Sequence, residues 1–177
     1  MTNYRRIFQN NSYIFITIVT FHRKKILIEN IELLRESFKQ AKNFYTFNIF
    51  AIAILEDHLH LIIKPENINE YPKIISSIKY YFSRKLNMTD FNLSKSNIIK
   101  REKGVWQRRY WEHTIRDEED LYKHLDYIHY NPVKHDYVQN VRDWKYSSFD
   151  KFVKQELYEE NWGCFDDIKH IKDFNIE

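Results

Sequence analysis

Two histidines separated by one residue, His58 and His60, stand at the start of the run His-Leu-His-Leu-Ile-Ile. The apolar residues around them are typical of a β-strand, on which residues i and i+2 point to the same face. Both imidazoles would then project side by side into one site, and two neutral imidazoles held in this way are the beginning of a divalent-metal site. A pair of partly buried histidines satisfied by hydrogen bonds explains an isolated HxH equally well, so the rest of the chain must decide.

Tyr127 and Asn131 form a second pair, about seventy residues downstream in a segment with helical character. Residues four apart lie on the same face of a helix. Asn131 can give a metal a third ligand through its oxygen, and Tyr127 can supply a phenolic oxygen beside it. Taken alone, such a pair is typical of a helix surface. Together with the two histidines it indicates chemistry.

Positive charge is concentrated between residues 79 and 109, where nine lysines and arginines face two acidic residues. From residue 150 onward the balance reverses, with eight acidic residues against four lysines. A solvated charged face explains a basic run in many proteins. Here the run is interleaved with tyrosine, phenylalanine and tryptophan, which favours a nucleic-acid groove where cations contact phosphates and rings stack on bases.

The elements that would position these residues follow from the apolar patterns. We predict strands over 13–21, 47–55 and 58–64, helices over 29–45 and 69–86, and a fourth strand over 105–115. A further helix begins after the N-cap Asp117 and is expected to end near Asn131, because Pro132 cannot continue it. This order, β-α-β-β-α-β and then a helix, predicts an α+β fold with an antiparallel sheet and helices packed on one face.

Length and composition indicate one domain over residues 1–149 and an acidic C-terminal tail over 150–177. Apolar residues make up 43% of the chain, which is enough for a core. The single cysteine, Cys164, excludes an intrachain disulfide and suits a reducing cytoplasm. No signal peptide is visible and the apolar runs are too short to span a bilayer, so we expect a cytoplasmic protein without a membrane partner.

Several motifs, in order along nearly the whole chain, carry a resemblance to a known family. They are Tyr4-Arg5-Arg6, His58-Leu59-His60, Trp106-Gln107-Arg108-Arg109 and the run Tyr-Ile-His-Tyr-Asn-Pro-Val-Lys-His that begins at Tyr127. With these motifs the chain resembles the single-tyrosine HUH transposases of bacteria, and within them the REP-associated tyrosine transposases. One departure is Asp136, which stands where the family usually has glycine; we expect it to affect the turn after the catalytic helix.

The resemblance implies a ferredoxin-like HUH fold with a C-terminal helical tail, and a Mg²⁺ or Mn²⁺ ion bound by His58, His60 and Asn131. It also implies Tyr127 as the nucleophile and single-stranded or hairpin DNA as the partner. Charge and resemblance together suggest a set of DNA-contacting residues: Arg5, Arg6, Lys79, Arg84, Lys85, Lys100, Arg101, Trp106, Gln107, Arg108 and Arg109.

The implied activity is cleavage and joining of single-stranded DNA through a covalent 5′-phosphotyrosine. Tyr130 is a second candidate for the nucleophile. A noncatalytic, domesticated protein that binds single-stranded DNA or RNA is an alternative, although a pure binder does not need the four site residues. A hydrolase that uses metal-activated water, with Asp57 or Glu56 as a ligand, is a further alternative. The sequence leaves open whether the protein is a monomer or a homodimer.

Overall fold

A computed structural model describes residues 11–87 and 104–163. Along these residues the elements are β1 (Ile14–Val19), α1 (Ile31–Lys42), β2 (Phe47–Ile54), β3 (His58–Pro65), α2 (Tyr71–Lys85), β4 (Trp111–Thr114), α3 (Glu118–Lys134) and α4 (Phe149–Lys154). The strands form one sheet in the order β2-β3-β1-β4, and every neighbouring pair is antiparallel. This is the ferredoxin-like α+β arrangement that the sequence predicts.

Helices cover both faces of the sheet rather than one. The central strands are apolar on both sides: Ile14 and Ile16 of β1 belong to the core beneath α1 and α2, whereas Phe15 belongs to a second core. Leu125 and Ile128 of α3 are buried in that second core. Because an apolar sheet face must be removed from water, α3 closes the face that α1 and α2 leave uncovered.

The fourth strand is shorter than predicted. Only Trp111–Thr114 pairs with β1 as a strand, while Trp106 forms a single bridge with Thr20. Between these two points the chain leaves the sheet, and Arg108 and Arg109 are exposed. The apolar and aromatic residues of 105–115 therefore belong to two separate contacts with the sheet, the bridge at Trp106 and the strand at Trp111–Thr114.

The beginning of α3 is confirmed and its predicted end is wrong. Asp117 caps the helix by accepting a hydrogen bond from the backbone N–H of Asp120 at 2.8 Å. The helix continues through Pro132 to Lys134 instead of ending at Asn131. A proline this close to the end forfeits little of the helical hydrogen bonding, and the buried side chain of Val133 packs the last turn against the protein.

The turn after α3 accommodates the departure from the family pattern. Asp136 has a φ of 58°, in the left-handed region that favours glycine and that aspartate tolerates better than most residues. Further on, α4 buries Phe149 and Phe152, and Phe152 lies in the same core as α3. The division of the chain at residue 150 stays a prediction. Among the described residues, no helix has the length and apolar character needed to cross a bilayer.

Candidate functional site

His58 and His60 lie on the sheet face that α3 covers, as strand alternation predicts. Both side chains are buried, with exposed fractions of 1% and 0%. Their ring centres are 4.9 Å apart and their planes are nearly perpendicular, at 84°. The first requirement of a shared site, two imidazoles in contact on a rigid strand, is therefore met.

Each histidine places its Nδ1 atom against an oxygen of the protein. His58 Nδ1 lies 2.5 Å from Asp57 Oδ1, and His60 Nδ1 lies 2.8 Å from Thr17 Oγ1 on β1. When the Nδ1–H donates to that oxygen, Nε2 of the same ring keeps its lone pair, which is the form of imidazole that binds a metal. The strand register thus supplies the contact that fixes the tautomer of His60, because Thr17 and His60 are cross-strand partners.

Asp57 is held as a carboxylate beside His58. Burial favours the neutral acid and would raise its pKa. The hydrogen bond with His58 and the nearby charges of His58 and Arg23 outweigh burial and hold the pKa of Asp57 below its ordinary value. Arg23 Nη1 lies 3.6 Å from Asp57 Oδ2. An ionised carboxylate that accepts the Nδ1–H of a histidine raises the basicity of its Nε2.

Tyr127 and Asn131 project from α3 onto the two histidines. Both are fully buried. The Tyr127 ring centre is 5.1 Å from that of His60, and Asn131 Oδ1 is 3.3 Å from His58 Nε2. The helical spacing of four residues and the strand spacing of two therefore bring all four side chains to one place.

Near the end of α3, Lys134 lies beside the Tyr127 ring, whereas Tyr130 points into a different part of the core. Lys134, two turns later on the same helix face, places its Nζ 5.0 Å from the centre of the Tyr127 ring. Tyr130 instead packs into a separate core with Val133 and Phe149. Burial and the nearby charge of Asp136 raise the pKa of Tyr130, which makes its phenol harder to ionise.

The donor atoms of this cluster suit a divalent cation with open coordination positions. Two imidazoles and an amide oxygen are ligands that such cations accept. Asn131 Nδ2 is buried, and the described residues provide it with no hydrogen-bond partner. The Asn131 side chain therefore keeps N–H donors that the described residues do not use. Glu56 forms an ion pair with Lys25 at 2.7 Å, and Asp57 faces the Nδ1 side of His58.

A second cluster of donor atoms, absent from the predicted site, joins β4 to α3. His113, Asp120 and His124 bring one ligand atom each to within 4.8 Å of one another. His113 Nε2 lies 2.7 Å from Asp120 Oδ2, and the two imidazoles stack with their ring centres 4.6 Å apart. Burial would raise the pKa of Asp120, but the hydrogen bonds from His113 and Arg116 lower it to about 2. Only the spacing of Asp120 and His124, one helical turn apart, could have signalled this cluster in the sequence.

The candidate DNA-contacting residues are divided among several places. Arg5, Arg6, Lys100 and Arg101 lie outside the described residues. Lys79, Arg84 and Lys85 belong to α2, on the sheet face opposite the two histidines.

The segment before β4 connects these two faces of the sheet. Trp106 packs on Phe82 at 5.2 Å between ring centres and donates from Nε1 to the Lys79 carbonyl at 3.2 Å. Lys79 Nζ donates to the Gln107 carbonyl at 2.8 Å. The side chains of Gln107, Arg108 and Arg109 are exposed, so this segment presents cations at the edge of the sheet.

Comparison with known proteins assigns this chain to a family. Residues 8–131 match the model of the family described as Transposase IS200 like. That range includes all four side chains of the cluster around His58.

Two relatives and one solved structure narrow the class. A Haemophilus influenzae protein provisionally named REP-associated tyrosine transposase is 47% identical over 171 residues, or 96% of this chain and 97% of that protein. The REP-associated tyrosine transposase of Escherichia coli K12 is 32% identical, over 92% of each chain. A solved REP-associated tyrosine transposase bound to a REP hairpin superposes with a TM-score of 0.79 at 30% identity, covering 99% of this chain and 96% of that one. The chain belongs to the REP-associated tyrosine transposases of the IS200-like family.

Proposed function

We propose that this transposase cuts and rejoins single-stranded DNA at hairpin repeats, with Tyr127 as the nucleophile and His58, His60 and Asn131 as ligands of Mg²⁺ or Mn²⁺. The observation that carries the proposal is the contact between β3 and α3. There the ring centres of Tyr127 and His60 are 5.1 Å apart, and Asn131 Oδ1 lies 3.3 Å from His58 Nε2. A divalent ion bound there would neutralise the phosphate charge and favour the phenolate of a tyrosine whose reference pKa is about 10.

In the cleavage step, Tyr127 Oη attacks the phosphorus of the scissile phosphodiester. The Oη–P bond forms as the bond from phosphorus to the 3′ oxygen breaks; the phenol gives up its proton and the departing 3′ oxygen takes one. The products are a 5′-phosphotyrosine and a free 3′-hydroxyl. Because the phosphodiester is exchanged rather than hydrolysed, attack by another 3′-hydroxyl reverses the step and joins strands without ATP.

Residues around Tyr127 would support this step by supplying positive charge and by fixing the positions of the reacting side chains. Lys134 places a cation 5.0 Å from the centre of the Tyr127 ring, where it would stabilise both the phenolate and the phosphate. Thr17 and Asp57 would keep the two imidazoles in the tautomer whose Nε2 carries the lone pair. Tyr127 lies on a helix and not on an exposed loop, and its side chain is buried. Its ring therefore has little conformational freedom to lose before the attack.

Hairpin DNA is the proposed substrate for two reasons. The solved relative at a TM-score of 0.79 is bound to a REP hairpin. In this chain, the exposed Arg108 and Arg109 next to β4 would contact phosphates close to the cluster.

The test is covalent trapping with the full chain. Palindromic repeats from beside the gene, labelled at the 5′ or the 3′ end, are incubated with Mg²⁺ or Mn²⁺ and resolved on denaturing gels. We expect an adduct that carries the 3′ part of the strand and a released fragment with a 3′-hydroxyl. Tyr127→Phe should abolish both while retaining hairpin binding and thermal stability, because only the hydroxyl is lost.

Tyr130→Phe is the matched control, since it removes the same atom three residues away, and it should still form the adduct. His58→Ala should remove cleavage while the chain remains folded. Cleavage that persists in Tyr127→Phe, or a product with a 3′-phosphate, would refute the proposal. Hairpin binding without any adduct from the wild-type chain would support the noncatalytic alternative.

A further inference from the structure

Trp111 stands at the edge of the sheet in the same cross-strand row as His60. Thr17 of β1 is the register partner of His60 on one side and of Trp111 on the other. Two strand spacings, about 10 Å, therefore separate the backbones of Trp111 and His60. Trp111 and His60 also share a sheet face, because Phe15 of β1 contacts the rings of both.

The indole is accessible, with 39% of the residue exposed. It packs on Phe15 in an edge-to-face arrangement, with ring centres 5.4 Å apart. Phe15 is also 6.0 Å from Tyr127, so one ring connects the exposed indole with the proposed nucleophile. An exposed aromatic ring in this position offers a surface on which a base of single-stranded DNA can stack.

The cluster of His113, Asp120 and His124 explains how the indole is held. Trp111 lies nearly parallel to both imidazoles, at 19° and 24°. The imidazoles are in turn fixed by the buried carboxylate of Asp120, at 2.7 Å from His113 and 3.2 Å from His124. A ring fixed in this way loses little conformational entropy when a planar partner stacks on it.

We infer that Trp111 stacks on a base of the single-stranded DNA next to the phosphate that Tyr127 attacks. This inference rests on the proposed function, since it places the DNA relative to Tyr127. Every base has a π-face, so the contact would position the strand with little sequence preference. The cluster at Asp120 would act as a positioning element, because it touches the indole and not the DNA.

The experiment measures hairpin affinity by fluorescence anisotropy in the Tyr127→Phe background, where the DNA cannot be cut. The probe is a hairpin copied from the repeats beside the gene, with single-stranded flanks, together with a series in which each flanking nucleotide in turn is abasic. We expect Trp111→Ala to weaken binding of the intact probe by about 10-fold, whereas Trp111→Phe retains most of the affinity. With the probe that lacks the stacked base, the variant and its parent should bind equally.

Phe44→Ala is the matched control, because Phe44 is a more exposed aromatic residue, at 75%, in the turn after α1 and away from this row. It should leave the affinity unchanged. An equal loss by Trp111→Ala on every probe, or no loss on any, overturns the inference.

Two further measurements keep the outcome decisive. Where Trp111→Ala does not fold, tryptophan emission replaces affinity: DNA should quench the parent strongly and Trp111→Phe weakly, and equal quenching of both overturns the inference. Failure of the proposed function is read separately, from adduct formation by the chain with Tyr127 intact. Stacking at Trp111 can therefore be established or refuted whatever the nucleophile is.

Discussion

Thr17 should control the metal affinity of the proposed site, to which it contributes no ligand. Its hydroxyl lies 2.8 Å from His60 Nδ1, and both side chains are buried. In Thr17→Val the shape of the side chain is kept and the hydrogen-bond acceptor is lost. The Nδ1–H that metal binding requires would then be a buried donor without its partner, which costs about 1–3 kcal/mol.

In the absence of metal, the variant avoids this cost by moving the proton of His60 to Nε2. Metal binding must then restore the less stable tautomer, so the penalty falls on metal affinity. We expect the affinity for Mn²⁺ to fall by about 10- to 100-fold, the effect typical of losing such a contact to a metal-binding histidine. This corresponds to about 1.4–2.8 kcal/mol, within the range estimated from the unmet donor.

Mn²⁺ affinity is measured by calorimetry, and the adduct-forming rate is measured against Mn²⁺ concentration. We expect the concentration for half-maximal rate to rise with the dissociation constant, and the rate to recover at saturating Mn²⁺. Ser37→Ala is the control, because it removes a buried hydroxyl that donates at 2.7 Å to the Leu33 carbonyl on α1, across the sheet. Unchanged Mn²⁺ affinity in Thr17→Val, or a rate that saturating Mn²⁺ fails to restore, would refute the reasoning.

Three further predictions concern charge. Lys134→Met should lower the adduct-forming rate by about 10-fold or more while Lys134→Arg keeps much of it, since a cation beside the Tyr127 ring would stabilise negative charge that develops on the phenol and the phosphate. Single-turnover rates check this, and equal rates in both variants would contradict it. The pKa of Asp120 is about 2 in the folded protein against a reference value of 3.8. Its ionised carboxylate therefore stabilises the folded state by about 2 kcal/mol above pH 4, and this contribution is lost as the pH falls toward 2. Chemical denaturation at several pH values should show that Asp120→Asn loses less stability than the parent chain over this window. Removal of both Arg108 and Arg109 should reduce the slope of log affinity against log salt by about 2 if each contacts one phosphate; an unchanged slope would mean that these exposed arginines do not touch DNA.

The parts of the site that follow local periodicity could be predicted from the sequence. Alternation along β3 places His58 and His60 on one face of the strand. The helical repeat places Tyr127 and Asn131 on one face of α3. The contact between Thr17 and His60, which are 43 residues apart in the sequence, could not be predicted, because it depends on the register of β1 with β3. Register is set by the whole sheet and not by either strand alone.

Pro132 shows where a local rule fails. The rule that proline ends a helix describes the cost at one position, whereas the packing of Val133 and Tyr130 in the core around Phe149 stabilises the whole last turn. Tertiary packing outweighs a local preference when the forfeited hydrogen bond is near a helix end. The extra turn matters for the site, because it carries Lys134 to its place beside the Tyr127 ring.

The position of the basic residues could not be inferred from their density in the sequence. Lys79 lies on α2, across the sheet from Tyr127, so a single flat groove cannot contain both. The two are nevertheless connected, because Lys79 bonds to the backbone of Gln107 and the chain passes from there through exposed Arg108 to Trp111. DNA that contacts both faces must therefore pass around the β4 edge, and a base stacked on Trp111 would mark the point where a single strand turns toward the proposed nucleophile, Tyr127.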